Sequence, residues 1–237
     1  MAPNHLKSQP RLSHSRTQQP VNIALFGGTF DPIHAGHLWA AKTAARKYAL
    51  RQILFVPTGN PPHKVRDGLT PYVHRYAMVA LACASDPRFV PSLLERPTPE
   101  GRPDYSIATV QRAKKNLGAR DHLYFLIGLD AFLDLRAWKD YRRLLDAVNF
   151  IVVSRPGFEI QEIREVVPAG LVASSVRQRQ SGELRLRHSR LHILRGVKSP
   201  IASRNIREAV RRRQSITGLV PPLVEQYILK EGLYRFA

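Results

Sequence analysis

Short apolar runs of strand length alternate with stretches whose apolar residues recur at helical spacing along most of the 237-residue chain. The first run, "VNIALF" (Val21 to Phe26), ends at Gly27-Gly28 and leads into "HLWAAKTAARKYAL", where Leu38, Ala41, Ala45, Tyr48 and Ala49 share one helical face. "QILFV" (Gln52 to Val56) is the next strand. Strand, helix and strand at this separation predict a βαβ unit with parallel strands and a right-handed crossover. The alternation continues with a helix near Tyr72 to Ala84, a strand near Phe89 to Leu93 and a helix starting by Ser106. "HLYFLIG" (His122 to Gly128) reads as a buried strand, "DYRRLLDA" as a helix and "NFIVVS" (Asn149 to Ser154) as a strand. "LHIL" (Leu191 to Leu194) is a late short strand. Two helices close the chain, "SRNIREAVRRR" and "PPLVEQYILKEG", the second started by prolines and stopped by Gly232. The pattern predicts an α/β fold, a doubly wound Rossmann-like parallel sheet with C-terminal helices.

Two regions break the rhythm. Residues 1–20, Pro/Ser/Gln-rich, basic and free of acids, read as a disordered tail ahead of one domain spanning 21–237. From about 158 to 190 the sequence turns polar and basic, and the expectation there is an excursion or flexible loop. The charge of +19, from 37 Lys and Arg against 18 Asp and Glu, attracts phosphates without saying which kind. Arg177 to Arg213 alone holds twelve Lys and Arg against Glu183 and Glu208. A solvated basic face accounts for this surplus, and nucleic acid is not expected as the main partner. A single cysteine, Cys83, excludes an internal disulfide, and no apolar segment reaches membrane-spanning length. A cytoplasmic protein is expected.

Candidate chemistry concentrates in "GGTFDPIHAGH", Gly27 to His37, at the turn from first strand to first helix. In open α/β sheets ligands lie beyond the carboxyl ends of the strands. Gly27 and Gly28 allow close backbone approach, and a helix beginning near His34 or Gly36 turns unpaired N–H groups and its positive dipole end toward the turn. An anion is the expected guest. His34 and His37, three residues apart, place both imidazoles on one side of the first helical turn, each able to donate a hydrogen bond to phosphate. Such spacing also suits a metal pair, but no metal site is assigned. The pattern is neither GxGxxG nor a P-loop.

The stretch resembles the Gly-Gly-x-Phe-x-Pro-x-His-x-Gly-His motif of the nucleotidylyltransferase superfamily, which transfers a nucleoside monophosphate from a triphosphate to a phosphate acceptor. "NPPHK", "PDYSIATV", "IGLDAFLDLRAWKDYRRLL", "SRPGF" and "LVPPLVEQYILKEGLY" extend the resemblance, from Val21 to Tyr234, to the bacterial nicotinate-nucleotide adenylyltransferases. It weakens across Phe158 to Arg190. The resemblance implies that His34 and His37 are catalytic, contacting the triphosphate and steadying the charge that develops on it. It implies that Gly27, Gly28, Thr29, Phe30, Lys64, Ser203 and Arg207 bind ATP or its phosphates. Gly128, Asp130 and Arg155 would then meet ribose or nucleotide, and His63, Tyr105, Ser106 and Trp138 nicotinate mononucleotide. Trp138 is suited to stack on the pyridine ring or to lie in the core. One motif departs: the family's Ile-Ser-Ser-Thr-x-Ile-Arg is here "IASRNIR" (Ile201 to Arg207), with Ala202 and Arg204 each replacing a hydroxyl. Ser203 remains able to cap that helix and bind phosphate.

The implied reaction moves AMP from ATP, with Mg²⁺ as cofactor, to nicotinate mononucleotide, yielding deamido-NAD and pyrophosphate. Alternatives are the same transfer to nicotinamide mononucleotide or phosphopantetheine, or a nucleic-acid-binding protein on a decayed enzyme fold. The resemblance does not settle oligomeric state.

Overall fold

The computed structural model describes residues 20–60, 68–154, 160–173, 182–196 and 200–235. The proposed tail falls outside the described residues except for Pro20, and so does part of the 158–190 excursion.

β1 (Asn22–Gly28), α1 (Ala35–Lys47) and β2 (Leu50–Pro57) form the opening unit. α2 (Tyr72–Cys83), β3 (Phe89–Pro91), α3 (Ser106–Lys114), β4 (His122–Gly128), α4 (Leu129–Leu133), α5 (Tyr141–Ala147) and β5 (Asn149–Val153) follow. α6 (Ile160–Val166), β6 (Glu183–Arg185), β7 (Arg190–Leu194), α7 (Ser203–Arg211) and α8 (Pro222–Lys230) complete the chain. The strands make one seven-stranded sheet in the order β3-β2-β1-β4-β5-β7-β6. All neighbours are parallel except β6 and β7. The direction of construction reverses between β1 and β4, and this is the topological switch of a doubly wound sheet.

Alternation along the strands divides the interior between two faces. Ala24 and Phe26 of β1, Ile53 and Phe55 of β2, Leu126 of β4 and Ile151 of β5 belong to one buried cluster, which α1, α2, α7 and α8 cover. Their neighbours Ile23, Leu25, Val56, Phe125, Phe150 and Val152 belong to the other, closed by α3, α5 and α6. A strand buried on both sides reads as an unbroken apolar run, as "IALF" does, and this is the mark of a central parallel strand.

The excursion departs from the loop expected of it. Its described residues hold α6, whose Ile163 is buried, and β6, an antiparallel edge strand. β6 and β7 are joined by only a few residues, too few for the crossover a parallel pair requires. At the chain's end α8 starts on Pro222 and stops at Gly232, whose φ of 63° is left-handed. The Leu233 N–H then donates to Ile228 O at 3.1 Å, the closing bond of a Schellman turn. Among the described residues no helix is long and apolar enough to cross a membrane.

Beyond β2 the backbone at Gly59 passes so close to the Glu95 carbonyl that a Cβ would lie 2.0 Å from it and 2.9 Å from Asp104 Oδ2. Gly59→Ala should therefore lower stability by about 1–3 kcal/mol, read as a depressed thermal midpoint. An unchanged midpoint would mean that the two segments are not held in this register.

Candidate active site

The strand ends at the switch open into a cleft of about 230 Å³. Gly27, Gly28 and Thr29 from the end of β1, Phe125, Ile127 and Gly128 from β4, and Tyr105, Ser106 and Trp138 from the flanking segments all line it.

Between β1 and α1 the chain makes a tight loop. Phe30 adopts φ 49°, a left-handed conformation rare for a bulky side chain. Its ring is 2% exposed and packs edge-on against Phe26 and His37, with centroids 5.7 and 5.1 Å away. A Cβ on Gly28 would sit 3.1 Å from that ring, so this glycine makes room for Phe30. The Phe30 side chain thus supports His37 from below, and only its backbone is placed to meet a ligand.

His34 is the N-cap residue of α1, and His37 stands in the first turn. Their rings stack with centroids 3.7 Å apart and planes 29° apart. The His34 backbone N–H donates to His37 Nδ1 at 3.2 Å. A backbone amide can only donate, so Nδ1 must carry its lone pair, and the His37 proton resides on Nε2. Burial, and secondarily the neighbouring His34, holds the His37 pKa well below the usual value, and burial lowers that of His34 to about 4. Both rings are therefore neutral at pH 7. His34 Nδ1 is buried with no partner among the described residues, an orphan of the sort a ligand site leaves.

The carbonyls of the loop are held from outside. Arg75 Nη1 donates to Thr29 O at 2.8 Å, Arg207 Nη1 to Asp31 O at 2.6 Å, and Ser203 Oγ to Pro32 O at 2.9 Å. The Asp31 carboxylate accepts from the Tyr234 hydroxyl at 2.7 Å and from the Thr70 N–H at 3.4 Å. Ser203 does not cap α7, whose N-cap is Ala202. Its hydroxyl is spent on Pro32 O, which lies outside its own helix.

The opposite wall has different chemistry. Tyr105 is the N-cap residue of α3 and Ser106 its first residue. Trp138, half-buried, meets Phe125 edge-on at 6.4 Å and also faces the cleft, combining the packing and the open ring face that the sequence left as alternatives. Lys139 Nζ lies 4.4 Å from the centre of the Tyr105 ring. Glu95, 7% exposed, accepts a hydrogen bond from Thr109 Oγ1 at 2.7 Å. Burial, outweighing that bond, pushes its pKa up to about 7. Asp130 is exposed at the start of α4, just past Gly128.

His34, His37, Ser203 and Arg207 thus gather around the loop, while Gly27, Gly28, Thr29, Tyr105, Ser106, Gly128 and Trp138 gather around the cleft. His63, Lys64 and Arg155 lie outside the described residues. Sequence reasoning missed Arg75, which holds the loop, and Glu95, Asp104 and Lys139, which line the cleft. Arg75 had a signal, as the one arginine in the apolar helix "YVHRYAMVALAC". Glu95 and Asp104 carried none, since they sit in irregular chain.

The sequence profile described as Cytidylyltransferase-like matches residues 25–210. A "Probable nicotinate-nucleotide adenylyltransferase" of Moorella thermoacetica is 38% identical over 92% of this chain and 93% of its own length. One of the same name from Desulfotalea psychrophila is 36% identical over 90% and 99%. A solved nicotinic acid mononucleotide adenylyltransferase of Plasmodium falciparum, complexed with NaAD, superposes with a TM-score of 0.67 at 21% identity, covering 92% of this chain and 98% of that one. At that identity the likeness speaks for the fold. An α/β sheet of this topology with paired histidines after its first strand defines a nucleotidyltransferase. The chain belongs to the cytidylyltransferase-like family, and within it to the branch of the nicotinate-nucleotide adenylyltransferases.

His34 and Glu95 make opposite predictions for stability. His34 titrates lower folded than unfolded, so its contribution is present above about pH 6.5 and is lost as pH falls toward 4. Glu95 titrates higher folded, so its contribution is present below about pH 4.5 and is lost as pH rises through 7. Glu95→Gln should remove the second limb. Urea unfolding should show the wild type losing stability relative to this variant between pH 5 and pH 8, by on the order of 3 kcal/mol. A constant difference would mean that Glu95 ionises as an exposed carboxylate does.

Proposed function

We propose that this protein transfers the adenylyl group of ATP to the 5′-phosphate of nicotinate mononucleotide, releasing pyrophosphate and deamido-NAD. The observation that carries the reading is the stacked His34–His37 pair at the start of α1, beside a cleft walled by Tyr105, Ser106 and Trp138. Relatives that share over a third of their residues along nine-tenths of the chain carry the same name.

The transfer is one in-line displacement. An oxygen of the acceptor phosphate bonds to the α-phosphorus of ATP, and the bond from that phosphorus to the bridging oxygen breaks, its electron pair leaving with pyrophosphate. No side chain need become covalent, so the protein acts by positioning and by donors aimed where charge develops. His37 offers Nε2–H as a neutral donor whose tautomer the His34 amide enforces. Among the described residues, neither the Thr29 nor the Phe30 N–H has a protein acceptor, which suits the loop to phosphate oxygens. Trp138 supplies a flat face for the pyridine ring, and Ser106 a hydroxyl near it.

Among the described residues no three His, Cys, Asp or Glu side chains are grouped to hold a metal. The Asp31 carboxylate is the one acid of the loop and is engaged by Tyr234 and Thr70, so the loop offers unpaired N–H groups, which suit phosphate, and no carboxylate cluster for Mg²⁺. A magnesium ion here would arrive chelated by the triphosphate, as Mg²⁺ commonly is, and would screen its charge. A cytoplasmic location fits a biosynthetic enzyme of this kind.

Pyrophosphate release should appear with Mg·ATP and nicotinate mononucleotide, and fall well below that level with nicotinamide mononucleotide or with no acceptor. Equal rates with acid and amide would overturn the acceptor assignment, and no release with either would overturn the activity. His37→Ala should lose ~100-fold or more in kcat with an unchanged circular dichroism spectrum. Trp138→Ala should raise KM for nicotinate mononucleotide by up to about tenfold while leaving KM for ATP in place.

A further inference from the structure

Arg75 is 1% exposed, the most completely buried cation among the described residues, in a helix whose other inward residues, Met78, Val79, Ala82 and Cys83, carry no charge. Burying a guanidinium is costly unless its N–H groups are all but fully engaged, and a core position of this kind is filled more cheaply by an apolar side chain. Nothing in the packing of α2 requires the charge. Among the described residues no carboxylate pairs directly with Arg75, although Asp31 is near enough to favour its charged form. Its hydrogen bonds go instead to two backbone carbonyls far apart in sequence: Nε to Thr70 O at 2.8 Å and Nη1 to Thr29 O at 2.8 Å. The Tyr72 ring, 5.6 Å from the guanidinium carbon, covers one side.

These bonds close a ring. Thr29 is tied through Arg75 to Thr70, and the Thr70 N–H returns to the Asp31 carboxylate at 3.4 Å. The segment from Thr29 to Pro32 is therefore gripped from two sides, by α2 through Arg75 and by α7 through Ser203 and Arg207. That grip has a conformation to maintain. Phe30 sits at φ 49°, which costs on the order of 1 kcal/mol or more and persists only where surroundings over-determine it. Turning the Thr29 carbonyl toward Arg75 turns the following amide, that of Phe30, the other way. Both the Thr29 and Phe30 N–H groups lack protein acceptors among the described residues.

We propose that Arg75 is a positioning residue for adenylyl transfer, clamping the Thr29 carbonyl to the Thr70 carbonyl so that the loop's amides stay aimed at the triphosphate. The proposal rests on the adenylyl-transfer reading above. Arg75 touches no substrate; it acts through the peptide between Thr29 and Phe30. In-line transfer is sensitive to such placement, since a 1 Å error in a reacting group can cost about 100-fold. The effect falls chiefly on the triphosphate side, because Arg75 shares no hydrogen bond with Tyr105, Ser106 or Trp138 and reaches their cleft only through Thr29.

Arg75→Lys keeps the charge but cannot span both carbonyls, and Arg75→Gln keeps neither the charge nor the span. Steady-state kinetics should show kcat reduced about tenfold in the first and about 100-fold in the second. KM for ATP should rise in both, with KM for nicotinate mononucleotide within twofold of wild type. Wild-type kinetics in either variant would overturn the proposal. So would parallel losses for both substrates that track a fall in thermal midpoint, the signature of a merely structural arginine. A measurement on the wild type does not depend on how the variants fold. Amide hydrogen exchange with a non-hydrolysable ATP analogue and Mg²⁺ should slow together over residues 27–33 and 68–75. Slowing confined to 27–33 would overturn the clamp. Failure of the wild type to release pyrophosphate would overturn the activity and leave the clamp to be judged by exchange on the analogue alone.

Discussion

Everything at this site depends on how the peptide groups between Thr29 and Pro32 are turned. A loop that binds phosphate through its amides must present N–H groups to the ligand and dispose of its carbonyls elsewhere, and those carbonyls are strong acceptors that cannot be buried unpaired. Here three side chains dispose of three of the four: Arg75 takes Thr29 O, Arg207 takes Asp31 O and Ser203 takes Pro32 O. Two of the three come from α7 and one from α2, both of which cover the same sheet face as α1. The layer that completes the core therefore also sets the loop. Tyr234, from beyond α8, adds its hydroxyl to the Asp31 carboxylate, so the end of the fold is bonded to its first turn.

The histidine pair follows from the same geometry. An imidazole that donates to phosphate must keep one nitrogen protonated and its ring fixed, and in water it would exchange tautomers freely. The His34 amide, donating to His37 Nδ1, makes that choice, and Phe30 packing edge-on beneath the ring fixes its plane. Burial keeps both rings uncharged. Neutral donors can lie 3.7 Å apart where two imidazolium ions would repel. The spacing of three residues thus lets the two rings stack without mutual repulsion.

Much of this was legible in the chain. Parallel strands buried on both faces, such as β1 and β4, show as continuous apolar runs, and His122–Gly128 needed no adjustment at either end. The turn motif marked the candidate site in the sequence because glycines, a proline and paired histidines have few other reasons to meet at the end of a strand. Harder to read was β6. The alternation Glu183, Leu184, Arg185, Leu186 is that of a half-buried strand, with both leucines inside, but it lies in a stretch of arginine-rich sequence that masks the period. Roles carried by backbone were the least legible. Ser203 and Arg207 stand where a family motif puts them, yet what they grip in this structure is the protein's own carbonyls. Hydrogen bonds spanning 171 and 176 residues leave no local trace in sequence.

The large positive charge gains a more specific meaning from this arrangement. Several of the arginines outside the site are locally paired: Arg185 and Arg190 with Glu183, and Arg211 and Arg212 with Glu208. Exposed pairs of this kind add little stability and are weakened by salt. Arg75 and Arg207 differ because they spend their hydrogen bonds on loop carbonyls, with the Asp31 carboxylate nearby but not in direct contact with Arg75. Carbonyl partners engage the guanidinium donors and orient the loop's peptide groups, which a direct carboxylate pair would not do. The choice of acceptor lets the same two arginines, from helices that close the core, fix the turn of the loop between them.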